Sequence, residues 1–158
     1  MLQITFRQPV ALFKDEQGGL EYLDSSGRVF GDFTLSAHQD FPTLSGIPPR
    51  DERALVRALH VLRVSGGILT AARSGVVISG LRWEADQGYR LLVTYPLLSD
   101  PGIARGVIDL GSLEGGDLPN RLEKVRQVLS YLSRRGIEAH QIWADADKKV
   151  VVRTSRGS

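Results

Sequence analysis

Residues 77–95 constrain the fold more than any other stretch of this chain. Val77, Ser79, Leu81 and Trp83 are expected to share one face, and Gly80, Arg82 and Glu84 the other. Asp86-Gln87-Gly88 turns the chain. Tyr89, Leu91, Val93 and Tyr95 then repeat the period of two, with Arg90 and Thr94 opposite. That period marks strands with one buried face. A lone hairpin is marginal in water. Its apolar face needs a second layer, so the rest of the chain must supply more strands and something to pack on them.

The strands come first. Leu2, Ile4 and Phe6 alternate with Gln3 and Thr5, and short apolar runs follow over 10–14, 20–24 and 28–33. They are separated by Asp15-Glu16-Gln17-Gly18-Gly19 and by Ser25-Ser26-Gly27, whose glycines suit tight turns. This reads as an antiparallel meander, with Pro9 at a strand start or a bulge because it cannot donate to a ladder. Residues 36–49 read as a loop.

A helix follows. Leu55, Ala58, Leu59 and Leu62 recur at helical spacing, with Arg53, Arg57 and His60 on another face. Pro49 suits a first turn, and Asp51 and Glu52 suit the positive end of the helix dipole. Gly66-Gly67 is expected to end or weaken this helix, with a second helical stretch over 68–73. After the hairpin, 96–105 reads as a loop and 106–110 as a short strand.

The spacing predicts a second long helix over 118–135, with Leu122, Val125, Leu129 and Leu132 as its stripe. Asp117 is its N-cap, and Arg134-Arg135-Gly136 is its stop signal. A closing hairpin joins 137–144 to 149–154 around Asp145-Ala146-Asp147-Lys148, and residues 155–158 read as a disordered tail. Hairpins with two helices inserted between them predict an α+β fold. Its expected form is a largely antiparallel β-sheet with two long amphipathic helices packed on one face.

Composition narrows the chemistry. The 158 residues include no cysteine, which excludes disulfides, thiolate nucleophiles and Cys-ligated metals. Twenty basic against 18 acidic residues give a net charge of +2. The excess is spread out, whereas nucleic-acid binding calls for a clustered one. No run approaches the ~18–20 apolar residues that span a bilayer. Met1 leads straight into Leu2-Gln3-Ile4-Thr5-Phe6 without the basic start of a signal peptide. A cytosolic protein and a piece of a longer chain both fit.

Reactive constellations are sparse. His38, His60 and His140 lack metal-ligand spacing. Asp145 and Asp147 resemble half a calcium loop, but Lys148 and Lys149 stand where further ligands belong. Asp86, Asp100 and Asp109 form no pair by spacing, and Ser74-Gly75 lacks the frame of a hydrolase elbow. Gly66-Gly67 and Gly115-Gly116 belong to no phosphate loop. The expectation is no metal, no cofactor and no catalytic residue. What remains is the terminal strand Lys149-Val150-Val151-Val152-Arg153-Thr154. It reads either as a sheet edge open to a partner strand or as an ordinary internal strand.

Three motifs carry a family resemblance. They are Ile4 running into Pro9-Val10-Ala11, then Leu23-Asp24-Ser25-Ser26-Gly27-Arg28-Val29-Phe30, then Phe41-Pro42-Thr43-Leu44-Ser45-Gly46. In this order, followed by helix, long hairpin, short strand ending at Gly111, helix and closing hairpin, the chain resembles the β domain of the bacterial division proteins FtsQ and DivIB. It departs from them where Phe6-Arg7-Gln8 replaces a usual Glu-Arg. It departs again where Ile142-Trp143-Ala144-Asp145 replaces a common Ile-Asp-Leu-Arg.

The resemblance implies residues 1–7 as a remnant of a preceding POTRA strand, 8–154 as the β domain and 155–158 as a tail. It implies a non-enzymatic divisome scaffold on the periplasmic or extracytoplasmic face of the inner membrane. The membrane helix and most of the POTRA domain would lie outside this chain. The implied partners are FtsB- and FtsL-type coiled-coil proteins, which would add a strand at Lys149, Val150, Val151, Val152, Arg153 and Thr154. Trp143 would be an apolar anchor beside that edge or a core residue. Two other classes stay open. One is an enzyme assembled from Asp24, Asp32, His38 and Asp109. The other is a nucleic-acid or anionic-surface module using Arg53, Arg57 and Arg63.

Overall fold

The computed structural model describes residues 8–32, 41–48, 51–71, 74–98, 102–113, 116–146 and 149–154. The expected POTRA remnant (1–7), the tail (155–158), His38 and the side chain of Asp32 lie outside them.

The fold is α+β. The strands are β1 (Pro9–Lys14), β2 (Leu20–Asp24), β3 (Val29–Asp32), β4 (Thr43–Ser45), β5 (Val77–Glu84), β6 (Gly88–Leu97), β7 (Gly102–Gly111), β8 (Ala139–Trp143) and β9 (Val151–Thr154). The helices are α1 (Glu52–Leu69) and α2 (Leu118–Arg135). Among the described residues the strands form one sheet in the order β3-β2-β1-β4-β5-β6-β7-β8-β9. α1 and α2 pack on each other, and they lie against β5 and β6 respectively.

The sheet is mixed rather than largely antiparallel. β1 and β4, β4 and β5, and β7 and β8 run parallel, and the other neighbours are antiparallel. Two of these three parallel pairs come from the helices. β4–α1–β5 and β7–α2–β8 are crossovers that return the chain to the end of the sheet where the previous strand began, so adjacent strands must be parallel.

β4 lies inside the stretch expected as a loop. Three residues are too few to show a period, yet Leu44 is fully buried and β4 sits in the middle of the sheet. Gly46 follows it at φ +82°, and a Cβ there would collide with the backbone carbonyl of Trp83 on β5. The Phe41–Gly46 motif is therefore a packing motif: a short central strand ended by a residue that only glycine can supply.

The central hairpin differs in detail. A register shift between Ile78 and Gly80 marks a β-bulge. Val77 and Ser79 are exposed, while Ile78, Leu81 and Trp83 pack on the core, so the four residues of one parity do not share a face. β6 keeps its pattern, with Tyr89, Leu91, Val93 and Tyr95 all buried. β6 and β7 also run longer than expected, because Pro96 to Leu97 pairs with Gly102 to Ile103 where a loop was anticipated.

α1 continues through Gly66-Gly67 to Leu69 instead of stopping there. Each glycine costs about 1 kcal/mol of helix propensity. Burial of Leu69, and of Val61 and Leu62 one turn or more before it, outweighs that. Asp51 caps the helix by accepting from the Ala54 N–H at 3.1 Å. α2 has the expected ends. Asp117 accepts from the Asn120 N–H at 3.2 Å, and Gly136 closes the helix at φ +67°.

Candidate functional site

Among the described residues β9 pairs with β8 alone and ends the sheet. Val151 to Arg153 stand in unbroken antiparallel register with Trp143 to Gln141. In such a strand alternate residues bond the neighbour and the residues between turn their N–H and C=O outward, so the outer side of β9 presents backbone donors and acceptors to whatever comes next.

The faces of this edge are set by β7 and β8. Ile108 pairs with Ile142, and both are fully buried toward the helices. Trp143, paired with Asp109, therefore points to the opposite, helix-free face. The alternative of Trp143 as a core residue is not realised: it is half-buried and lies outside the central apolar cluster. Its register partner Val151 shares that outer face and is 45% exposed. Val152 faces the core side with Ile142, and Val150 packs there as well.

Of the anticipated edge residues, Val151, Val152, Arg153 and Thr154 form β9. Lys149 and Val150 precede it. Lys149, Arg153 and Thr154 are exposed, which gives the edge polar ends around the apolar pair Trp143 and Val151.

The other end of the sheet is a poorer template. Gly31 in β3 has φ +62°, and the β2–β3 register slips between Glu21 and Tyr22. A kinked, bulged edge resists strand addition.

A line of polar contacts crosses the outer face toward β8. Glu84 takes ion pairs from Arg82 at 3.2 Å and Arg90 at 3.5 Å. The Arg90 Nε donates to Asp109 Oδ1 at 2.8 Å, and Gln141 Nε2 donates to Asp109 Oδ2 at 2.6 Å. This ties β8 to β7 and β6 on the side opposite the helices. Gln141 escaped the sequence reading because α2 separates β7 from β8, and no local signal announces their pairing.

Of the residues considered for an enzyme, the side chains of Asp24 and Asp109 fall within the described residues, and these two stand far apart. Asp24 is a turn residue: its Oδ1 accepts from the N–H groups of Ser26 and Arg28, both at 3.0 Å, and from the Ser26 hydroxyl at 2.6 Å. Asp109 lies five strand positions away, about 24 Å at ~4.8 Å per strand. Asp24 therefore explains the Asp-Ser-Ser-Gly-Arg motif as the turn between β2 and β3. Among the described residues no three His, Asp or Glu side chains gather where they could hold a metal ion. No helix among them is long and apolar enough to cross a membrane.

No protein-family model matches the chain, and no curated protein sequence matches it.

Proposed function

We propose that this chain is a docking module that accepts a β-strand from another protein along the free side of β9. The observation that carries the proposal is the position of β9, which among the described residues has one neighbour in the sheet, with an apolar pair, Trp143 and Val151, beside it. Main-chain bonds to the open edge supply affinity, and alternating side chains supply specificity.

Within that class the chain is of the FtsQ/DivIB type: a non-enzymatic scaffold of the bacterial divisome whose partners are FtsB- and FtsL-type coiled-coil proteins. It acts in septation on the periplasmic or extracytoplasmic side of the inner membrane, anchored by a helix outside this chain. The support is the order of the three motifs and what each one does. Pro9-Val10-Ala11 opens β1, Asp24 to Gly27 makes the β2–β3 turn, and Phe41 to Gly46 holds β4. A chain with these local devices in this sequence ends, like the β domain it resembles, on a closing hairpin.

The test is amide exchange across residues 149–154, with and without a peptide from an FtsB-type protein. Slower exchange at alternate residues of β9 is the expected result. Unchanged protection at saturating peptide would remove strand addition from consideration.

A further inference from the structure

A groove of about 1170 Å³ lies at the other side of the molecule, between α1 and the end of the sheet where β1, β4 and β5 begin. These strands are parallel to one another, so their starts gather there and bring Val10, Pro42 and Val77 together. Val56 and Leu59 of α1 form the facing wall. The surface is apolar and open: Val10, Val56 and Val77 are 40%, 45% and 55% exposed.

Its rim is mainly basic: Glu52 is the one acid among the described lining residues, while Arg53, Arg57, His60 and Arg63 all line it and all are exposed. They recur every three or four residues, so they form one row of about 15 Å along the helix, at ~1.5 Å per residue. Arg63 Nη2 lies 3.1 Å from His60 Nδ1. Among the described residues, no carboxylate comes within ion-pair distance of Arg53, Arg57 or Arg63.

We infer that this groove docks an acidic amphipathic helix of a partner protein, at a surface separate from β9. Three features select that occupant. First, β1, β4 and β5 each have a neighbour on both sides, so no free strand edge is offered. An occupant must satisfy its own backbone, as a helix does. Second, the apolar floor calls for an apolar stripe. Third, the cations form a row, which matches carboxylates repeated at helical spacing, whereas a single anionic headgroup would be met by a cluster. Residues 1–7 contain Arg7 and no acid, so they lack the complementary charge.

The experiment uses a designed, fluorescein-labelled helix with leucines on one face and glutamates flanking them, titrated with the chain and followed by anisotropy. A scrambled peptide of the same composition is the control. The expected result is saturable binding of the helix and binding of the scramble weaker by at least about tenfold. The double variant Arg53→Glu, Arg57→Glu is expected to lose about tenfold and to regain it for a peptide carrying lysine in place of glutamate. Val56→Asp is expected to weaken both peptides, and the circular dichroism of each variant checks that these exposed positions leave the fold intact. Equal binding of the scramble, or indifference to the reversed arginines, overturns the proposal. So does tighter binding of a DNA duplex or of phosphatidylglycerol vesicles that the same reversal abolishes. Self-association of the chain removed by Val56→Asp would make a second copy the occupant and overturn it too. Binding gained only when residues 1–7 are deleted would do the same.

Discussion

Ala139 and Tyr95 are joined by a 2.7 Å hydrogen bond in which the backbone N–H of Ala139 donates to the phenol oxygen. The same hydroxyl donates to the carbonyl of Ile137 at 3.0 Å. Tyr95 belongs to β6 and Ala139 to β8, with β7 between them. The ring reaches past Gly106 of β7, where a Cβ would lie 3.9 Å from the ring and 2.8 Å from the Ala139 carbonyl. One side chain thus pins the start of β8, and through β8 it positions β9.

Tyr95→Phe keeps the ring and removes the hydroxyl. The Ala139 N–H, on a fully buried residue, then loses its partner. Leaving such a donor unmet costs about 1–3 kcal/mol. The expected outcome is a lower urea midpoint with an unchanged slope. Amide exchange should speed up in β8 and β9 more than in β1 and β2.

Alkaline pH acts on the same residue. Burial pushes the phenols of Tyr95 and Tyr89 above their ordinary value of 10.0. Glu138 adds to the rise at Tyr95, while the Ala139 hydrogen bond opposes it, and at Tyr89 the nearby Arg57 charge opposes it. The unfolded chain therefore loses these protons at a lower pH than the folded one. Stability should hold below about pH 9 and fall as pH rises past about 10, because folding then requires proton uptake. Urea midpoints measured across that range check this, and the fall should be shallower in Tyr95→Phe.

Ser65 sits fully buried in α1, and among the described residues its hydroxyl has no hydrogen-bond partner. Replacing it with alanine removes an unmet polar group and improves helix propensity. Ser65→Ala is expected to stabilise the fold by about 1 kcal/mol, read as a rise in urea midpoint. A decrease would mean that the hydroxyl is bonded after all.

Single prolines along β9 should alternate in effect. Successive residues of a strand point their N–H groups to opposite sides. Of Val151→Pro and Val152→Pro, one removes a donor to β8 and the other removes a donor to the open edge. Denaturation and partner-peptide titration on both variants should split accordingly. One variant should lose mainly stability, and the other mainly binding. Parallel losses in both would count against docking at this edge.

Much of this architecture was readable from local pattern. Tyr89 to Tyr95 announce a half-buried strand because four large side chains fall on one parity. Asp117 and Gly136 announce the ends of α2 because capping is a matter of a few adjacent residues. Asp24 and Gly27 announce a tight turn for the same reason. Each of these signals depends on contacts within one element.

Contacts between distant elements were not readable. β4 is three residues long and earns its place by lying between β1 and β5, with Gly46 against Trp83. The bulge at Ser79 takes Val77 out of the buried set and leaves it 55% exposed, although its spacing from Leu81 suggested otherwise. The run of α1 through Gly66-Gly67 follows from burial of Leu69, which no propensity reports.

The sequence by itself determined which segments are strands and helices across most of the chain, because hydrophobic period and end-capping are properties of neighbouring residues. Tertiary structure alone decided that the crossovers make parallel pairs, that Trp143 stands on the helix-free face, and that β9 is the last of the described strands in the sheet. Those outcomes depend on which backbone lies beside which, and that is settled by packing among residues far apart in the chain.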